Sequence, residues 1–80
     1  MKSITICDRD STPLALLDKD NPNIVRLTVF EEVGEETREQ IENVFYVTPR
    51  EKTGDNYSVI ADAYKKNGYK IIDSFTKKEI

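Results

Sequence analysis

Apolar and polar residues alternate from Ser3 to Asp8 (SITICD), where Ile4 and Ile6 interleave with Thr5 and Cys7, the period of a half-buried strand. Asp8 to Thr12 (DRDST) ends the alternation, because short Asp and Ser side chains bond nearby backbone groups and stop a strand ladder. Pro13 to Asp18 (PLALLD) reads as a second strand in a hairpin with the first. A short helix capped by Ser11, with Pro13 in its first turn, is the alternative, but a segment of about seven residues is marginal for a helix without strong packing. Lys19 to Asn23 (KDNPN) predicts a loop.

The strongest strand signal runs from Ile24 to Val33. Val25, Leu27, Val29 and Val33 fall on one face, and Arg26, Thr28, Phe30 and Glu32 on the other. Gly34 ends it. A helix beginning between Glu35 and Arg38 follows, with Thr37 and Gln40 in capping-box spacing and Glu35, Glu36 and Glu39 near the positive pole of the helix dipole. Its apolar stripe is narrow, Ile41, Val44 and Phe45, and Pro49 stops it by Val47. Thr48 to Asn56 has no apolar residue and reads as an exposed loop.

Tyr57, Ile60, Ala61 and Tyr64 match helical spacing, with Asp55 or Asn56 as N-cap and Gly68 as a left-handed stop after Asn67. The competing reading makes Asn67-Gly68 a hairpin turn and the preceding segment a strand. Tyr69 to Phe75 (YKIIDSF) closes the sheet on either reading, and Thr76 to Ile80 reads as a frayed tail. The predicted class is a small two-layer α+β domain: an antiparallel sheet of about four strands with one or two helices on one face. The order is β-β-β-α-α-β, with β-β-β-α-β-β as the alternative.

Eighty residues make one domain spanning 1–80, since so short a chain buries only about 60% of its unfolded surface and cannot divide its core. With 38% hydrophobic against 34% charged residues it escapes the composition of disorder. The longest apolar run, Leu14 to Leu17, is far short of the roughly 20 residues of a membrane span. No signal-peptide block follows Met1, and the single Cys7 can form no internal disulfide, so a cytoplasmic protein without membrane contact is expected.

Candidate chemistry is sparse. Histidine is missing, which removes the commonest general base and metal ligand together, so neither a zinc site nor a cysteine nucleophile is expected. Cys7 reads as a buried structural thiol. Gly34, Gly54 and Gly68 are too far apart to build a phosphate-cradling loop. Asp18 to Asn23 opens like a calcium loop, but Pro22, Asn23 and Val29 occupy positions that such a loop reserves for other residues. No enzyme, cofactor or metal is expected.

Charge changes the picture more. The net charge is −3, yet residues 1–46 hold five Lys/Arg against ten Asp/Glu, and residues 47–80 hold seven against five. Direct nucleic-acid binding is therefore disfavoured, although Lys65, Lys66, Lys70, Lys77 and Lys78 surround Tyr69 and Phe75 in a faint basic and aromatic cluster. Glu31, Glu32, Glu35, Glu36, Glu39 and Glu42 crowd one stretch, with Arg38 the only base among them. Glu35, Glu39 and Glu42 share a helix face.

A solvated surface is the commoner reason for such a run. The functional alternative is a negative patch that docks on a basic surface. Tyrosine serves both packing and interfaces: Tyr57 and Tyr64 are expected in the core, and Tyr46 and Tyr69 at sheet edges. The candidate partner-binding residues are thus Glu31, Glu32, Glu35, Glu36, Glu39, Glu42 and Tyr46.

The leading expectation is a small acidic binding protein that occludes a basic, nucleic-acid-binding surface of a protein partner, in the manner of phage-type inhibitors and anti-defence proteins. The alternative is an assembly subunit that self-associates, for instance as a homodimer, through a sheet edge in the first hairpin or at Tyr69 to Phe75.

Overall fold

The computed structural model describes residues 2–21, 24–50 and 55–80. Its elements run β1 (Lys2–Cys7), β2 (Pro13–Asn21), β3 (Ile24–Val29), α1 (Glu35–Val47), α2 (Asn56–Lys66) and β4 (Lys70–Asp73). The four strands form one sheet in the order β3-β2-β1-β4, with every neighbouring pair antiparallel. This is the α+β class in the order β-β-β-α-α-β.

Register explains the core. Ile4 pairs with Leu17, which pairs with Leu27, and Ile6 pairs with both Ala15 and Ile71. Side chains at paired positions share a face, so these rows project together toward the helices. Ile6, Ala15, Leu17, Ile41, Ile60 and Tyr64 have no exposed surface. Burying each large apolar side chain in that set contributes about 1.5–3 kcal/mol relative to leaving it in water.

Helix α2 supplies Tyr57, Ile60 and Tyr64 to this core, and α1 supplies Ile41. The Tyr64 hydroxyl donates to the Ile41 carbonyl at 2.6 Å and ties the two helices together inside the core. Tyr69 packs edge-on against Tyr64, with ring centroids 5.7 Å apart.

The capping signals of α2 hold. Asp55 accepts from the Ser58 backbone N–H at 3.2 Å, and Gly68 takes the left-handed φ of +91° that ends the helix after Asn67. Helix α1 keeps its expected bounds but differs in its cap. It begins at Glu35 with Gly34 as N-cap and no side-chain cap, so Thr37 lies within the first turn and the Thr37–Gln40 box does not form. The fixed point at that end is Arg38, whose guanidinium donates to the Phe30 carbonyl at 2.8 Å.

Three further expectations are corrected. Strand β2 continues through Lys19 to Asn21, because the antiparallel partner β3 pairs with this segment, Lys19 lying opposite Val25. The remainder of that expected loop, Pro22 and Asn23, lies outside the described residues, as do 51–54 of the expected 48–56 loop. Strand β3 stops at Val29, and Phe30 to Val33 form a turn closed by the Val33 N–H on the Phe30 carbonyl at 3.1 Å.

The C-terminal residues are not frayed. Ile72 bridges to Glu79, the Asp73 N–H donates to the Lys78 carbonyl at 2.8 Å, and the Ile80 N–H donates to the Ile71 carbonyl at 2.8 Å. This return covers the outer edge of β4. The opposite sheet edge, β3, pairs with no other strand among the described residues.

Candidate functional site

Helix α1 lies beside the free edge strand. The space between them is a groove of about 530 Å³, with Leu27 and Val29 of β3 on one side and Arg38, Glu42, Phe45 and Tyr46 of α1 on the other. With no further strand beyond β3, the helix lacks a second apolar surface. Val44 and Phe45 are consequently only half-buried, while Ile41 is fully covered. Tyr46 is 76% exposed beside Phe45, their rings edge-to-face at 5.4 Å.

The helical repeat sorts the candidate residues. At 100° per residue, Glu35, Glu39, Glu42 and Tyr46 fall in a line within about 60° of one another, and of these Glu42 and Tyr46 line the groove. Glu36 points roughly 100° away from Glu35 on the same geometry, so it does not belong to the ridge. Glu31 and Glu32 are exposed in the turn between β3 and α1. The structure thus brings four of the seven candidates together, with Glu31 and Glu32 in the adjoining turn and Glu36 on a different side of α1.

None of these glutamates has a cation within ion-pair distance among the described residues; the ion pair that does form is elsewhere, between Lys19 and Asp55 at 3.6 Å. Arg38 is held by the Phe30 carbonyl. Arg50 donates to the Thr48 carbonyl at 2.6 Å and stacks over Phe45, 4.5 Å from the ring centroid. Arg38 and Arg50 therefore serve the chain's own backbone and core edge, Arg26, which also lines the groove, has an interaction of its own, and the ridge presents carboxylates to solvent.

Other features serve the fold. Cys7 is fully buried, and burial pushes its thiol pKa up, with the Asp8 carboxylate adding to the rise and Lys70 opposing it. A raised pKa disfavours the thiolate that nucleophilic or metal chemistry would need. A second cleft of about 300 Å³ lies against α2 and the C-terminal return, with Asp55, Tyr57, Asp73 and Phe75 in its lining. Two of its carboxylates are engaged locally: Asp55 caps α2 through Ser58, and Asp73 accepts from the Phe75 and Thr76 backbone N–H groups at 2.8 and 2.9 Å, while Asp62 also lines the cleft. Among the described residues no three Cys, Asp or Glu side chains cluster as metal ligands would, and no helix is long and apolar enough to cross a membrane.

The groove residues Leu27, Val29 and Phe45 read from the sequence as ordinary core. Nothing local marks them otherwise, because which strand lies at an edge is decided by pairing between distant segments. No protein-family model matches the chain, and neither the characterised proteins nor the solved structures include a significant match to it.

Proposed function

We propose that this chain is a non-enzymatic acidic protein-binding domain whose α1 ridge docks on the basic surface of a protein partner and occludes it. The observation that carries the reading is the alignment of Glu35, Glu39 and Glu42 with the exposed Tyr46, with no cation within ion-pair distance of these glutamates among the described residues. Charge of one sign steers encounter and selects partners of the opposite sign, and an exposed tyrosine adds a contact that gains area at low entropic cost. A groove that binds nucleic acid is strongly basic, and covering one makes such a domain an inhibitor.

The test is capture from the native host on immobilised protein, comparing wild type with the triple variant Glu35→Lys, Glu39→Lys, Glu42→Lys. A control carrying Asp10→Lys, Asp62→Lys and Glu79→Lys changes the net charge equally at other sites. The reading requires that the ridge variant loses the partner while the control keeps it, both folding as judged by circular dichroism. Equal capture by all three proteins contradicts it.

The uncovered edge of β3 favours a second reading, self-association through that strand. A two-fold pairing of β3 with its copy would bring two acidic ridges together, which like-charge repulsion opposes. Mass by light scattering across a range of concentrations separates a dimer from a monomer.

A further inference from the structure

Resting on the docking reading above, we infer that the groove takes an extended, lysine- or arginine-bearing segment of the partner as a fifth, antiparallel strand on β3. The ladder shows which backbone groups are available. The Phe30 N–H donates to the Leu14 carbonyl at 3.0 Å, so Phe30 and Leu14 form a hydrogen-bonded pair. Antiparallel ladders alternate bonded and non-bonded pairs, which turns the N–H and C=O groups of Arg26 and Thr28 inward to β2. Those of Val25, Leu27 and Val29 point away from the sheet, where no described residue meets them.

The same alternation fixes where an added strand would place its side chains. Residues paired with Val25, Leu27 and Val29 share their face and project into the groove toward α1. A lysine there lays its aliphatic stem along Phe45 and Tyr46 and carries its ammonium to Glu42 in the groove wall, on the ridge that continues through Glu39 and Glu35, none of which has a cation within ion-pair distance among the described residues. The lengths also agree, since the six residues of β3 and the thirteen of α1 each span about 20 Å. Backbone pairing supplies affinity and the ridge supplies selectivity, the division of labour in strand addition. Charge complementarity chooses a basic segment over a second copy of this acidic chain.

The test titrates the isotopically labelled full chain with a capped peptide of roughly nine alternating threonine and lysine residues, long enough to span β3. On saturation the amide hydrogens of Val25, Leu27 and Val29 should exchange at least about tenfold more slowly. Two N-methylated isomers then separate the modes. Methylation of the lysine amides, which face β3 when lysine side chains face α1, should weaken binding at least about tenfold, and methylation of the threonine amides should leave it unchanged.

Equal behaviour of the two isomers, or perturbation confined to Glu35, Glu39 and Glu42, overturns strand addition while leaving the docking reading standing. Failure of the unmodified peptide to bind, or protection of the same three amides by dimerisation without peptide, also overturns it. Equally strong binding of a threonine–glutamate peptide removes the electrostatic docking reading instead.

Discussion

Tyr57 and Tyr64 sit on the same buried face of α2, and their hydroxyls meet different fates. The Tyr64 hydroxyl has the Ile41 carbonyl at 2.6 Å, whereas the Tyr57 hydroxyl is buried with no hydrogen-bond partner among the described residues. A made hydrogen bond contributes a net of about 1 kcal/mol, while an unmade one costs its desolvation. Tyr64→Phe should therefore lower stability by about 1 kcal/mol, and Tyr57→Phe should leave it unchanged or raise it by up to about 1 kcal/mol, as read from urea midpoints.

Burial, with the Asp18, Asp73 and Asp55 carboxylates adding to it, pushes the Tyr57 pKa up to about 12, and burial also pushes Tyr64 up. The folded state thus holds these protons more tightly than the unfolded chain. Their contribution is complete below the ordinary tyrosine pKa of 10 and is lost as pH rises toward 12. Alkaline unfolding should begin near pH 10, with a shallower fall in Tyr57→Phe, as followed by circular dichroism. Helical spacing made the burial of both rings legible. The hydroxyl partner was not legible, because Ile41 is 23 residues away in sequence.

Helix α2 owes its start to Asp55, which accepts from both the backbone N–H and the hydroxyl of Ser58. Asp55→Ala should cost about 1 kcal/mol and Asp55→Asn a few tenths, because the amide oxygen still caps. The Lys19 ion pair adds little at an exposed position. The Ser58 hydrogen bonds, hydroxyl first and then backbone, lower the Asp55 pKa below 3.8 against a small opposing effect of desolvation, and Lys19 lowers it further. That contribution is therefore present above pH 3.8 and is lost as pH falls through the depressed value. Thermal melts of wild type and Asp55→Ala should differ at pH 7, and the difference should shrink as pH is lowered below 3.8.

Legibility follows the same scale. Local signals, the Asp55 cap, the Gly68 stop and the break before Pro49, gave both ends of α2 and the end of α1. The Thr37–Gln40 box failed because Arg38 anchors the helix start through Phe30, a contact that capping patterns do not encode. Lys19 to Asn21 has loop composition and is strand because β3 pairs with it, and the C-terminal return exists because β4 offers it an edge.

For the whole molecule, the sheet order turns an acidic sequence into a directed surface. The C-terminal return covers β4, β3 pairs with no further strand among the described residues, and α1 sets Glu42 and Tyr46 of its acidic ridge beside that open edge. Spacing alone placed Glu35, Glu39 and Glu42 on one face, but their position beside an open strand depends on topology and could not be read from the chain.

Surface electrostatics of this kind is screened over about 10 Å at 0.1 M salt, so docking through the ridge must weaken with ionic strength. The most direct measurement is the affinity of the captured partner for wild type and for the Glu35→Lys, Glu39→Lys, Glu42→Lys chain between roughly 50 and 200 mM salt. Wild-type affinity should fall about tenfold or more across that range, and the variant should bind weaker by about 2 kcal/mol or more at the low end. Equal affinities for the two chains, flat with salt, would contradict docking through the ridge.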